Sequence, residues 1–216
     1  MIQHRKGLVL DFGGVLTTPL PHAALAFERR EGLAEGTLLT GLYLNPEGVR
    51  LTEELERGML TQTQWNGAAG RLLGVPPDNL MGRIFAELRP ERTVIAAAAA
   101  ARRSGVKVGV LSNSVGMTPW NLYDGYEVEE RYDAVVLSEL HGTRKPEPEI
   151  FRLVLGELGL DAEECVFVDD TEQHLAPAAG LGFATVHAVE PARTVAALEA
   201  LLGIPLTGQD PDRGTE

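Results

Sequence analysis

Five apolar runs recur along the chain, at Gly7–Phe12, Val106–Ser112, Ala134–Ser138, Cys165–Asp169 and Phe183–His187, and the segments between them carry helical or mixed patterning. Runs that are continuously apolar, rather than alternating, read as strands covered on both faces. Strands that alternate with helices predict an α/β fold with a doubly wound, parallel sheet. Several helices carry their own punctuation: Pro90 opens and Gly105 closes an alanine-rich one, and Pro191 opens and Gly203 closes the last. Ile150, Phe151, Val154 and Leu158 form a stripe of 3.6 period ended by Gly159, so the helix from Pro148 to Leu158 should pack on the sheet.

One stretch breaks the alternation. Between the first two strands, Pro21 to Leu88 shows helical patterning and no convincing strand, which is too long for a single crossover. Phe27, Leu55, Met59, Leu60, Trp65, Leu72, Leu73, Ile84, Phe85 and Leu88 could supply the core of a helical bundle inserted after the first strand. Such an insert would overhang the carboxyl ends of the strands, exclude water and choose the substrate; extra scaffolding is the alternative. The expected organisation is a doubly wound α/β core over 1–17 and 90–206, a helical cap over 18–89 and a disordered tail over 207–216. The tail is rich in Gly, Asp and Pro and has no apolar residue to bury.

With 216 residues the chain can bury a substantial core, and its 44% hydrophobic content is that of a globular protein. A net charge of -12 argues against nucleic acid or an anionic membrane as partner. Any phosphate site must therefore be built locally. The one cysteine, Cys165, lies inside an apolar run, which suits packing in a reducing compartment. Asp11 interrupts the apolar stretch that follows Arg5 and Lys6, so no export is implied, and the longest apolar run, Val94 to Ala101, falls far short of the ~20 residues that span a bilayer. A cytoplasmic protein, monomer or homodimer, is expected.

The candidate chemistry sits where two apolar runs end in aspartate, at Asp11 and at Asp169-Asp170. Ligands of parallel sheets bind at the carboxyl ends of strands, and three carboxylates gathered there repel one another unless a hard divalent cation such as magnesium is shared between them. Helix capping explains either segment equally well when it is taken alone. Two more pieces fall at corresponding places: Leu111-Ser112-Asn113-Ser114 ends the second strand with a hydroxyl, and Arg144-Lys145-Pro146-Glu147-Pro148 precedes a helix.

These four pieces, in this order, resemble the haloacid dehalogenase-like hydrolase superfamily, over Gly7 to about Leu202. Arg57-Gly58-Met59-Leu60-Thr61 and the run from Arg144 to Phe151 are similar to its helical-cap, phosphatase-like subgroup. The resemblance implies a Rossmann-like sheet of order 3-2-1-4-5 with a cap inserted after the first strand. It implies that Asp11 attacks phosphorus to form an aspartyl-phosphate that water then hydrolyses. Magnesium would be held by Asp11, the Gly13 carbonyl and Asp170, with Asp169 direct or through water. Ser112, Lys145 and the backbone at Gly13, Gly14 and Asn113 would hold the phosphoryl group. The implied substrate is a small phosphorylated metabolite, a sugar phosphate by default, met by entrance residues among Thr17, Thr18, Tyr43, Asn45, Trp65 and Arg71.

The pattern departs from the family at Gly13, where its phosphatases usually carry a second aspartate that protonates the leaving group. A glycine still offers the carbonyl for metal but no proton, and losing a positioned general acid costs about 10² to 10⁴ in rate. A slow or specialised phosphatase follows, with His22, Glu172 and His174 as replacement acids and His141 as a surface residue. Some relatives with glycine here are phosphatases. Two alternatives stay open: a non-catalytic phosphate-binding or regulatory protein, and a metal-independent 2-haloacid dehalogenase, against which the Asp169-Asp170 pair argues.

Overall fold

The computed structural model describes residues 4–207, so the expected tail lies, apart from Thr207, outside the described residues. Five strands form a parallel sheet: β1 (Gly7–Leu10), β2 (Lys107–Ser112), β3 (Ala134–Leu137), β4 (Cys165–Asp169) and β5 (Ala184–His187), in the order β3-β2-β1-β4-β5. Each starts or ends within two residues of the apolar run that predicts it. The fold class and strand order expected from the sequence are those observed. Phe12 and Ser138 fall outside their strands because the chain turns after Leu10 and Leu137, although both residues are buried.

The continuous apolar character of the strands is explained by helices on both faces. Leu8, Leu10, Val108, Val110, Val166 and Val168 point to one side, where α5 (Arg92–Arg103) and α9 (Pro191–Leu202) cover them. Val9, Leu111, Val136 and Phe167 point to the other, against α7 (Pro148–Leu158) and α8 (Glu172–Leu181). Alternation of side chains along each strand makes both faces hydrophobic at once. A Cβ at Gly109 would come within 3.2 Å of Val154 and 3.4 Å of Leu158, so glycine there lets α7 pack close. Cys165 is fully buried, and burial pushes its thiol up to about 12, in keeping with a packing role.

Between β1 and β2 the chain forms α1 (Leu20–Glu31), α2 (Pro46–Glu56), α3 (Gln62–Leu73) and α4 (Leu80–Ile84), with a π-helical stretch at Leu39–Leu44. These helices share a hydrophobic cluster built on Phe27, Leu55, Trp65, Leu73 and Ile84 together with Leu38, Leu42, Leu51, Ala69, Leu80 and Met81. Met59, expected in that core, is instead 68% exposed. The chain reverses after α2 at Gly58, which has φ +69°, and this turn carries Met59 out of the helical register the pattern assumed. The insert leaves and returns at adjacent points: Thr17 and Pro90 form an antiparallel bridge, flanked by Thr18 N–H donating to Arg89 O at 2.8 Å and Glu91 N–H donating to Leu16 O at 2.9 Å. Pro90 is held in this pairing, so α5 starts at Arg92, where the Glu91 side chain accepts from Thr93 N–H. A short α6 (Val128–Arg131) precedes β3. Among the described residues no helix is long and apolar enough to cross a membrane.

Phe167 stands at the centre of the α7–α8 face, with ring centroids 5.2 Å from Phe151 and 6.1 Å from Phe183. Phe167→Ala should lower the unfolding free energy by about 3–5 kcal/mol, read from the urea midpoint at unchanged slope. A loss under about 1 kcal/mol would contradict this packing.

Candidate active site

Parallel register brings the expected pieces to one edge. Leu10 pairs with Val110 on one side and Val168 on the other, so the next residues, Asp11, Leu111 and Asp169, lie side by side at the carboxyl edge. Asp11 N–H donates to Val168 O at 2.9 Å, and its own carboxylate accepts from Phe12 N–H at 2.7 Å. Gly14 lies at φ +73°, and a Cβ there would run into the Asp170 carboxylate. Only glycine lets these two loops approach so closely. The Gly14 N–H donates to Thr17 Oγ1 at 2.9 Å, which closes the turn after β1.

Lys145 is the residue around which the acidic groups gather. Its side chain is 1% exposed, and Nζ lies 2.7 Å from Asp11 Oδ1 and 2.7 Å from Asp169 Oδ2. Asn113 clamps the Lys145 peptide from both sides: Lys145 N–H donates to Asn113 Oδ1 at 2.8 Å, and Asn113 Nδ2 donates to Lys145 O at 3.1 Å. The sequence pattern placed Lys145 and Asn113 in the site without indicating that one holds the other. The loop is anchored from the far side too. Arg144 pairs with Glu56 and Glu53 at the end of α2, and Arg57 Nη1 donates to Glu147 Oε2 at 2.9 Å, holding that carboxyl down at about 2.

Asp169 is fully buried and already satisfied, accepting from Lys145, from Thr171 N–H at 2.8 Å and from His174 Nδ1 at 3.1 Å. Asp170 is less enclosed, and accepts from Thr171 Oγ1 at 3.2 Å. One oxygen each of Asp11, Asp169 and Asp170 can be chosen so that all lie within 4.8 Å of one another. Three carboxylates thus face one ammonium. Burial works against ionisation of Asp169, yet Lys145 and His174 hold it down at about 2. Burial likewise opposes the charge on Lys145, but Asp11 and Asp169 raise its pKa. Asp11 takes the consequence: burial pushes it up to about 8, because its share of Lys145 does not offset desolvation and the repulsion from Asp169 and Asp170. Burial and the charge of Asp169 raise Asp170 as well. A cluster that near neutral pH becomes fully ionised only with added positive charge is what a hard divalent cation fits, and the donors are all oxygens.

Ser112 is buried at the end of β2, where its Oγ accepts from Tyr123 Oη at 2.9 Å. Tyr123, itself buried and edge-on to Phe12 with centroids 4.6 Å apart, went unnoticed in the sequence. Its segment carries no periodicity that would announce it. Of the other candidates, His174 serves Asp169, Asn45 caps α2 by accepting from Glu47 N–H at 2.9 Å, and Arg71, His141 and Glu172 are exposed. Gly13 has a neighbour the sequence did not suggest: a Cβ there would lie 3.3 Å from Leu20 Cδ1. The place of the absent side chain is thus bordered by an apolar one.

A cavity of about 620 Å³ opens from this edge into the helical insert. Asp170 and Thr171 line it, and much of the wall is Leu, Met, Ile and Phe from the insert, with Tyr43 and Trp65 and the polar side chains of His22, Glu28, Glu35, Thr52 and Glu56 also contributing.

Residues 5–182 match the family model for haloacid dehalogenase-like hydrolases. Among curated proteins, the bifunctional epoxide hydrolase 2 of Mus musculus is 30% identical over 223 residues, covering 89% of this chain and 38% of that protein. The acyl-CoA dehydrogenase family member 10 of Mus musculus is 28% identical, covering 93% of this chain and 19% of that protein. The chain therefore spans well under half the length of these two relatives. The sesquiterpene phosphatase astK of Aspergillus oryzae is 24% identical, with 92% of this chain and 97% of that protein covered. Among solved structures, the magnesium complex of a HAD family enzyme from Bacteroides thetaiotaomicron superposes with a TM-score of 0.65 at 23% identity, covering 87% of this chain and 96% of that one. At that identity the likeness is one of fold.

The charge imbalance has a measurable sign. An unfolded aspartate titrates near 3.9, so with Asp11 raised to about 8 the folded chain holds an additional proton between those values, and stability falls as pH rises through that window. Asp169 acts oppositely: its stabilisation is present above about 3.9 and is lost as pH falls toward 2. The melting temperature of chelator-treated protein should therefore decline between pH 5 and pH 8, while Asp11→Asn or added magnesium should flatten the decline. A slope unchanged by Asp11→Asn would contradict the assignment.

Proposed function

Because the chain belongs to the haloacid dehalogenase-like hydrolases, we propose that it hydrolyses a small phosphomonoester with magnesium, through an aspartyl-phosphate on Asp11. The observation that carries this reading is the Lys145 ammonium, 2.7 Å from both Asp11 and Asp169 and beside Asp170. The phosphatase names among the relatives, astK and the glyceraldehyde 3-phosphate phosphatase of Methanocaldococcus jannaschii, support the reaction class. The single buried thiol and the acidic surface suit a cytoplasmic protein acting on a free metabolite, as monomer or homodimer.

In this reading the Asp11 carboxylate attacks phosphorus, the ester P–O bond breaks, and the departing oxygen takes a proton. Water then attacks the acyl-phosphate, releasing inorganic phosphate and restoring Asp11. Lys145 offsets the repulsion between the carboxylate and the phosphoryl group as they meet. Ser112, its hydroxyl held by Tyr123, and the backbone of Asn113 donate to phosphoryl oxygens, while Gly13 and Gly14 keep the turn bare enough for phosphate to approach the main chain. Asp11, the Gly13 carbonyl and Asp170 would hold magnesium, with Asp169, whose oxygens already serve Lys145, Thr171 and His174, taking part directly or through water. When bound, the metal would neutralise the carboxylates and draw charge off the phosphoryl oxygens.

Gly13 supplies no proton, and the neighbouring Leu20 leaves no polar group in its place. The reading is therefore of a slow enzyme, or of one whose leaving group takes its proton from solvent or from His22, which lines the same cavity as Asp170. The same feature favours a second reading, in which the site binds phosphate without turnover.

Wild-type protein with magnesium should release phosphate from a panel of phosphomonoesters at a rate that Asp11→Asn abolishes and EDTA suppresses. Formation of a beryllofluoride adduct without any turnover would select the binding reading. Hydrolysis of 2-haloacids that survives EDTA would select attack on carbon.

A further inference from the structure

We infer that the phosphomonoester taken by this site carries an extended aliphatic body, seated in the cavity beneath the helical insert rather than in a polar, sugar-sized pocket. The inference rests on the phosphohydrolase reading for the position of the phosphate, and on the cavity alone for the rest. Asp170 and Thr171 line that cavity, so the body of a phosphoester held at this edge has space beneath the insert to enter. Its volume, about 620 Å³, lies in the middle of the range of ligand pockets, roughly 300–1,000 Å³.

The wall decides what can fill it. Leu25, Leu42, Leu55, Met81, Ile84 and Phe85 present hydrocarbon. Two of the acidic groups along it are committed elsewhere: Glu28 accepts from Gly36 N–H at 3.0 Å and Leu38 N–H at 2.8 Å, and Glu56 pairs with Arg144. A sugar entering this space would lose water from several hydroxyls and meet few partners, at a cost of the order of 1–3 kcal/mol for each one left unpaired. An alkyl or isoprenoid chain gains by the same transfer.

One further observation sets this cavity apart from a packing defect. At the rim, the π-helical stretch Leu39–Leu44 leaves Leu39 57% and Tyr43 54% exposed while both line the cavity. Exposed apolar side chains at the mouth of an apolar chamber suit the entry of a hydrophobic ligand. Leu20 joins the two halves of the site, lining the cavity while bordering Gly13.

The test is a series of straight-chain alkyl monophosphates from ethyl to dodecyl, used below their micelle concentrations with magnesium, beside glucose 6-phosphate and p-nitrophenyl phosphate. Burial of one CH₂ contributes about 0.8 kcal/mol, so kcat/KM should rise about fourfold per added carbon until the cavity is full, then level off. Ala24→Leu, which fills part of the lining, should move the plateau to shorter chains, and Leu39→Asn, at an exposed and therefore tolerant rim position, should reduce the gain for long chains. Turnover of short and long members with equal efficiency would overturn the inference and leave the phosphohydrolase reading standing. If no compound is turned over, that reading fails, and calorimetric binding of ethyl against dodecyl phosphate to the magnesium-loaded protein decides the inference separately. Tighter binding with a more negative heat-capacity change for dodecyl supports it, and equal binding overturns it.

Discussion

One ammonium group faces three carboxylates where β1 and β4 leave the sheet, and this imbalance governs the rest of the molecule. Lys145 Nζ is shared equally between Asp11 and Asp169, with Asp170 close by. Packing so many like charges out of water is costly unless positive charge is supplied, and the protein meets that need unevenly. Asp169, with three donors, is kept ionised, while Asp11 is left short. An acid that is buried, underpaired and able to gain a cation is ready both to bind metal and to act as a nucleophile once it does. Parallel register by itself leaves Asp11 and Asp169 adjacent at the ends of β1 and β4.

Around that charged floor the helical insert builds an environment of opposite character. The connections at Thr17 and Pro90 hold its two ends together. Ion pairs from Glu53, Glu56 and Arg57 fasten the end of α2 to the loop that carries Lys145. The insert is thus tied to the loop that carries Lys145, so a shift of α2 would be felt there. On the proposed reading, an apolar chamber above a polar floor divides the work: charge recognises the phosphoryl group, and hydrocarbon contact selects what is attached to it.

Much of this was legible in the sequence because the relevant signals are local. Continuous Val, Leu and Phe runs predict the five strands, and the two that run into Asp, β1 and β4, are buried along their length and bring their carboxylates to one edge. Met59 was misplaced because a periodic reading continues through a helix end that Gly58 in fact terminates. Asn45, a candidate at the entrance, serves the backbone of its own helix instead. Tyr123 and Leu20 could not be read at all, since each matters only through a neighbour that tertiary structure supplies, Ser112 in one case and Gly13 in the other. The cavity escaped notice for a related reason. A leucine that lines a chamber and a leucine that fills a core occupy the same periodic positions, and only coordinates separate them.

The central claim is that the acidic cluster awaits one positive charge, which either a proton or a divalent ion can supply. Calorimetric titration of magnesium into the protein at pH 7, in buffers of different ionisation enthalpy, counts the protons exchanged. With Asp11 raised to about 8, binding should release about one proton per ion, and Asp11→Asn should remove that release. Magnesium binding that displaces no proton, or displaces as many from the Asp11→Asn protein, would contradict it.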